Sequence, residues 1–171
     1  FDNFKDLINQ VNQIVCNDSL PKIVIKNKKM NKSVYLRNPC SENYGCILVK
    51  SKNSIDIFND TIFKQWEKYY PLDSLENVLK RDLNNYGKNP FYSDHPEKLL
   101  IRVYYTKEGI KRLPKMLDKL TKTYSKLDSI HEIKIWLTNY YPFIPPPPPP
   151  PPPLGEPEIV EEIELTDTKI Q

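Results

Sequence analysis

Between Lys98 and Leu137 the hydrophobic period changes twice, and no other feature of the chain limits its fold as much. Over residues 98–106 the residues alternate, with Ile101, Val103 and Tyr105 on one side and Arg102 and Tyr104 on the other. From Ile110 the step lengthens: Ile110, Leu113, Leu117, Leu120, Tyr124 and Leu127 recur at three and four, the stripe of an amphipathic helix. His131 to Leu137 alternates again, so the stretch reads as a β-α-β unit. Pro114 fits only if the regular helix begins near Lys111. There a missing amide proton falls in the first turn, whereas deeper in a helix it would cost about 3 kcal/mol.

The first half of the chain is strand-rich. Phe4, Leu7, Ile8, Val11, Ile14 and Val15 place a helix over Asn3–Cys16, with Asp2 or Asn3 as its cap. After Pro21 the period falls to two, in the pairs Ile23/Ile25, Val34/Leu36, Ile47/Val49 and Ile55/Ile57. Their short polar connections predict an antiparallel meander. Asn59 or Asp60 is placed to cap a short helix ending near Tyr70, where Pro71 stops it. A further helix from Asp73 buries Leu75, Val78, Leu79 and Leu83, and a polar loop covers Asn84–Pro96. The expected fold is therefore α+β: an antiparallel β-meander extended by a C-terminal β-α-β unit, helices mainly on one face. Residues 1–141 form a basic globular domain, 142–155 a proline-rich rod, and 156–171 an acidic tail, disordered or docked on a partner.

Charge is segregated along the chain. The whole carries +3, but residues 154–171 hold six acids against Lys169, leaving +8 on the remainder. Lys111, Lys115, Lys119, Lys122 and Lys126 recur at helical steps opposite the apolar stripe, and Asp118 is the one acid between Lys111 and Lys126. Like charges at one-turn spacing repel, so a polyanion beside them is favourable. On the second face of the sheet, Arg102, Tyr104, Lys134 and Trp136 interleave cations with rings, and Lys26, Tyr35, Arg37 and Lys50 extend the pattern. Bases stack on such rings at about 1–3 kcal/mol each while Lys and Arg hold phosphates. The reading these features favour is a non-enzymatic domain binding DNA or RNA, a module of a larger replication, transcription or virion protein. The competing reading is a solvated or helix-covered sheet face beside an ordinary solvated helix. An anionic membrane surface and the chain's own acidic tail are further partners for such a stripe.

The other candidate partner site is the rod. Nine prolines, Pro145–Pro153, lock into polyproline II about 28 Å long at 3.1 Å per residue. Tyr141-Pro142-Phe143-Ile144-Pro145 resembles EVH1 ligands, and Ile144–Gly155 is similar to the profilin-binding stretches of formins. The resemblance implies a polyproline-binding partner contacting Tyr141, Pro142, Phe143, Ile144, Pro145, Pro148, Pro151 and Leu154, which makes a structural or adaptor protein the alternative function. A spacer role is the other reading of the same run.

Catalytic signatures are sparse. Glu132-Ile133-Lys134 resembles the E-x-K half of PD-(D/E)xK nucleases, with Asp118 or Asp128 as upstream acids, so a metal-dependent nuclease is the distant alternative. His95 and His131 are the only imidazoles and show no sequence-local partner; no metal site or cofactor is expected. Cys16, Cys40 and Cys46 make an odd number without framework spacing, which argues against a disulfide scaffold and for a reducing intracellular compartment, an organelle matrix or a virion interior. Alanine is absent while Lys, Asn, Ile and Tyr abound, a viral or organellar AT-rich coding bias. No apolar run nears the roughly 20 residues that span a bilayer. The start at Phe1, not Met, reads as a processed chain or a piece of a longer one.

Overall fold

The computed structural model describes residues 3–26, 31–65 and 69–139, so the rod at 142–155 and the acidic tail at 156–171 lie outside it. The elements in chain order are α1 (Phe4–Cys16), β1 (Lys22–Ile25), β2 (Lys32–Tyr35), β3 (Ser54–Phe58), β4 (Thr61–Phe63), β5 (Tyr70–Pro71), α2 (Leu75–Leu83), β6 (Leu100–Tyr104), α3 (Leu113–Leu127) and β7 (Lys134–Leu137). The main sheet runs β5-β4-β3-β6-β7, and β1-β2 stand apart as a two-stranded hairpin. Strand β6 is parallel to both β3 and β7, whereas the β3/β4 and β4/β5 pairs are antiparallel. The fold is α+β, and β6-α3-β7 is the expected crossover unit.

Packing follows the two periods. Ile55, Ile57, Ile101, Val103, Ile135 and Leu137 are buried together with Leu75, Val78, Leu79 and Leu83 of α2. From α3 come Leu113, Met116, Leu117, Leu120 and Tyr124. Truncating a fully buried leucine such as Leu117 or Leu120 costs about 2–5 kcal/mol. Asn3 caps α1, its side-chain carbonyl accepting the Asp6 amide at 2.8 Å. A 3-10 turn over Ile110–Arg112 leads into α3, and Pro114 occupies its first turn as expected.

Three expectations are corrected. The meander is interrupted: β1 and β2 pair only with each other, and residues 47–50, holding Ile47 and Val49, form no strand. No helix starts at Asn59 either. Asn59 and Asp60 have φ of 44° and 66°, and Phe58 faces Thr61, so they form the two-residue turn of the β3-β4 hairpin. Asn and Asp tolerate positive φ as readily as they cap helices, and the choice depends on which neighbours β3 finds. The Asn59 side chain then accepts the Thr106 amide at 3.1 Å, which docks the hairpin tip on the loop leaving β6. Gly109 makes room there, since a Cβ on it would lie 2.2 Å from Asn59 Oδ1.

The third correction concerns cysteine. Cys16, at the end of α1, and Cys40, beyond β2, are joined in a disulfide across 24 residues. An odd cysteine count says nothing about which two side chains tertiary packing brings together. It therefore no longer argues for a reducing compartment.

Candidate functional site

The face of the sheet opposite the core divides into two ends. At one, the Phe58 and Tyr104 rings stack with centroids 5.2 Å apart and planes 9° apart. Phe4 of α1 meets Tyr104 edge-on at 5.6 Å, and Phe63 lies 6.4 Å from Phe58. Tyr104 is thus engaged by aromatic neighbours. Beside it, Arg102 is held by its cross-strand neighbour Asp56, donating from Nε to Oδ1 at 2.6 Å and from Nη2 to Oδ2 at 2.8 Å. Burial pushes the Asp56 carboxyl above its ordinary range, although the Arg102 hydrogen bonds and charge oppose the shift.

The other end is concave. An open groove of about 550 Å³ is lined by Trp136, Leu100, Leu48 and Val49 together with Arg37, Lys50, Lys98 and Lys134. Asn53, Asp94 and Glu97 complete its wall. The register Leu100↔Lys134 and Arg102↔Trp136 places Leu100, Lys134 and Trp136 on one side of the sheet. Arg37 reaches it because the chain after β2 runs beside β7: the Arg37 amide donates to the Ile135 carbonyl at 2.9 Å, and Asn38 brackets Leu137. Leu48 is 98% exposed at the rim.

Carboxylates temper these cations. Arg37 pairs with Glu132, and Asp94 takes Lys52 at 2.5 Å and Lys50 at 3.7 Å. The Lys52 hydrogen bond holds the Asp94 carboxyl below its usual range. Lys134 donates to the Glu97 carbonyl, and Lys98 is exposed.

The lysine stripe of α3 is more thoroughly matched. Lys119 pairs with Asp73 at 2.5 Å, Lys122 with Asp118 at 2.6 Å and Lys126 with Glu76 at 3.1 Å. Asp118 also takes Lys32 of β2 at 3.5 Å. Asp73 and Glu76 belong to α2 and the turn before it, so their complementarity to α3 is invisible in the helix's own sequence. Lys111 and Lys115 are exposed. Arg102 lies directly across from Trp136 in the β6/β7 register, so Arg102, Tyr104, Lys134 and Trp136 share one face of the sheet, with Arg102 held by Asp56 and Tyr104 stacked on Phe58, whereas the lysine stripe is carried by α3. The E-x-K elements are dispersed, Glu132 on Arg37, Asp118 on two lysines and Asp128 on His131.

One cluster has no counterpart in the sequence reading. His95 and His131, 36 residues apart, pack edge to face with ring centroids 5.6 Å apart. Glu97 lies against both, 3.9 Å from His95 Nδ1 and 3.8 Å from His131 Nε2. Asp128 hydrogen-bonds His131 Nδ1 at 2.8 Å, so His131 does have a sequence-local partner. Partial burial works against ionisation of Asp128, but the amides of His131 and Ile130 and the His131 ring outweigh it and hold the carboxyl below its ordinary range. The available signal was positional: each histidine precedes one of two parallel strands that prove to be neighbours. Carrying the Leu100↔Lys134 offset back three residues sets Glu97 beside His131.

The chain matches no family model, no curated protein and no solved structure. Among the described residues no helix is long and apolar enough to cross a membrane.

Proposed function

We propose that this is a non-enzymatic nucleic-acid-binding domain whose single-stranded ligand lies in the Trp136 groove. The observation that supports it best is the lining itself: an indole, aliphatic side chains and four cations around one concavity, against two carboxylates, Asp94 and Glu97. A base stacks on a ring irrespective of sequence, and flanking Lys and Arg meet its phosphates. Concave walls also concentrate the field of like charges, which a convex helix does not. The stripe of α3 is the weaker surface, because it is convex and presents no ring, and three of its five lysines are matched by carboxylates, as Arg37 and Lys50 are in the groove. Arg102 and Tyr104 adjoin Trp136 on the same face, but their engagement by Asp56 and Phe58 makes them secondary contacts in this reading.

The test is anisotropy of labelled single-stranded DNA and RNA across a salt series, on the full chain. Replacing Lys98 and Lys134 with Ala lowers affinity about tenfold and reduces the logarithmic salt slope by roughly 0.7 for each phosphate that is no longer neutralised. Affinity that ignores salt, or that survives this double substitution, overturns the proposal. The rod and tail keep the adaptor function as an alternative. Removing residues 142–171 would then abolish capture of a polyproline-binding partner and leave the fold unchanged.

A further inference from the structure

We propose that His95, Glu97 and His131 form a binding site for one divalent first-row transition-metal ion of the zinc class. Each residue offers one ligand atom, and the three atoms lie within 4.8 Å of one another. Tetrahedral ligands about 2.1 Å from a zinc ion stand about 3.4 Å apart, so the site closes by a modest side-chain rotation. Glu97 is able to make it: its side chain is 68% exposed, and its carboxylate is already 3.8 Å from His131 Nε2.

The mounting is more ordered than an exposed polar cluster requires. His131 is presented by the in-register pairing of β6 and β7, and His95 stands at the start of the 3-10 turn of Pro96–Lys98, where its Nδ1 accepts the Glu97 amide at 3.3 Å, a long bond that an ion on the same nitrogen would replace. Asp128 engages His131 Nδ1, which fixes the ring and turns Nε2 toward Glu97. A carboxylate behind a ligating imidazole sets its tautomer and raises its basicity, the usual support for a metal-bound histidine. Two nitrogens and one oxygen suit Zn²⁺, Co²⁺ or Ni²⁺, whereas Mg²⁺ and Ca²⁺ prefer sites built of oxygen alone. Three protein ligands leave at least one coordination position for water or another group. Glu97 also lines the Trp136 groove, so the ion would sit at its rim. The site does not depend on the nucleic-acid reading, because it needs no nucleic acid to fill.

The experiment titrates the chelator-stripped full chain with Zn²⁺ by calorimetry and with Co²⁺ by visible absorption, with no oligonucleotide present. One ion binds per chain, and the Co²⁺ spectrum has no thiolate-to-metal band. His131→Ala and His95→Ala each weaken binding at least a hundredfold. Asp128→Asn, which touches no ion, weakens it about 10- to 100-fold. Because Asp128 also accepts the Ile130 and His131 amides, circular dichroism accompanies that variant. Glu97→Gln changes only an exposed side chain and is the variant least able to disturb folding; it loses at least tenfold. The proposal is overturned if the wild-type chain fails to compete with a weak chelator for Zn²⁺. It is equally overturned if the ion stays bound in Glu97→Gln and His95→Ala, or if Co²⁺ shows thiolate ligation.

Discussion

Two ion pairs in this molecule have the same length and opposite surroundings. Lys64 Nζ and Asp82 Oδ1 are 2.5 Å apart with both side chains fully buried, and Lys119 and Asp73 are 2.5 Å apart with side chains 38% and 93% exposed. At the first, water is gone and every polar atom needs a protein partner. Lys64 also donates to the carbonyls of Lys52 at 2.6 Å and Ser54 at 3.3 Å, and Asp82 Oδ1 accepts the Ser93 amide at 2.8 Å, while the buried Asp82 Oδ2 has no hydrogen-bond partner among the described residues. Asn53 ties the Asp94 amide into the same cluster, so the pair fastens β4, α2 and the long loop before β6 together. The Lys119–Asp73 pair gains no such network; solvent and salt screen it, and two flexible side chains lose freedom to make it. Distance alone therefore ranks neither pair, and the dielectric around it does.

The largest effect should come from breaking the buried pair on one side. Asp82→Ala strands the Lys64 ammonium in the core and should cost about 3–5 kcal/mol in denaturant melts. Replacing both residues with Met and Leu should recover only part of that loss, since it removes the orphaned charge but leaves the Ser93 amide and the Lys52 and Ser54 carbonyls without their partners. If the single substitution costs no more than a surface change, burial does not set the two pairs apart.

The next effect sets the groove against the stripe. The Lys98 and Lys134 double substitution should cost about tenfold in single-strand affinity, about 1.4 kcal/mol. A triple alanine substitution at Lys119, Lys122 and Lys126 should leave affinity within about twofold. Equal losses would mean that nearby carboxylates do not neutralise this basic helix face.

A smaller effect distinguishes the buried carboxyl Asp82 from Asp118, a carboxyl of the lysine stripe, by the sign of its pH dependence. The hydrogen bond from Lys122, with the charges of Lys122 and Lys32, holds Asp118 below its ordinary value of 3.8. Its stabilisation is complete above that value and is lost as pH falls through the lower folded value. Asp82 is shifted the other way, since burial raises it despite Lys64. Acidification through its raised folded value, down to 3.8, lets the folded state take up a proton that the unfolded state does not hold. Subtracting the pH-stability curves of Asp118→Asn and Asp82→Asn from wild type should give contributions of opposite slope. Slopes of one sign would show that the two carboxyls share an environment.

The smallest effect is on the exposed pair itself. Lys119→Ala should not shift the melting temperature measurably, and a shift of several degrees would show that the pair is better shielded than its exposure implies.

Much of the fold was legible because it rests on local periodicity. The change of step at Ile110 marks α3, Pro114 marks its first turn, and the alternation through Ile101, Val103 and Ile135 marks the buried side of β6 and β7. The groove was half legible: Lys134, Trp136 and Lys98 follow from alternation, but Leu48 sits in a stretch whose Ile47/Val49 alternation forms no strand, and Asp94 comes from a loop with no period. The histidine cluster was illegible until β6 and β7 were known to be adjacent and in register, because that pairing joins residues 36 positions apart.

By itself, then, the sequence determined which faces of each element are apolar, where α3 begins, and that cations outnumber acids before residue 154. Tertiary structure alone decided which carboxylates meet those cations, that Asn59 and Asp60 turn a hairpin, that Cys16 reaches Cys40, and that two histidines share a carboxylate. The physical reason is one of range. Periodicity and capping act within a few residues of backbone, whereas charge pairing, disulfide geometry and metal ligation depend on distances through space that only packing sets.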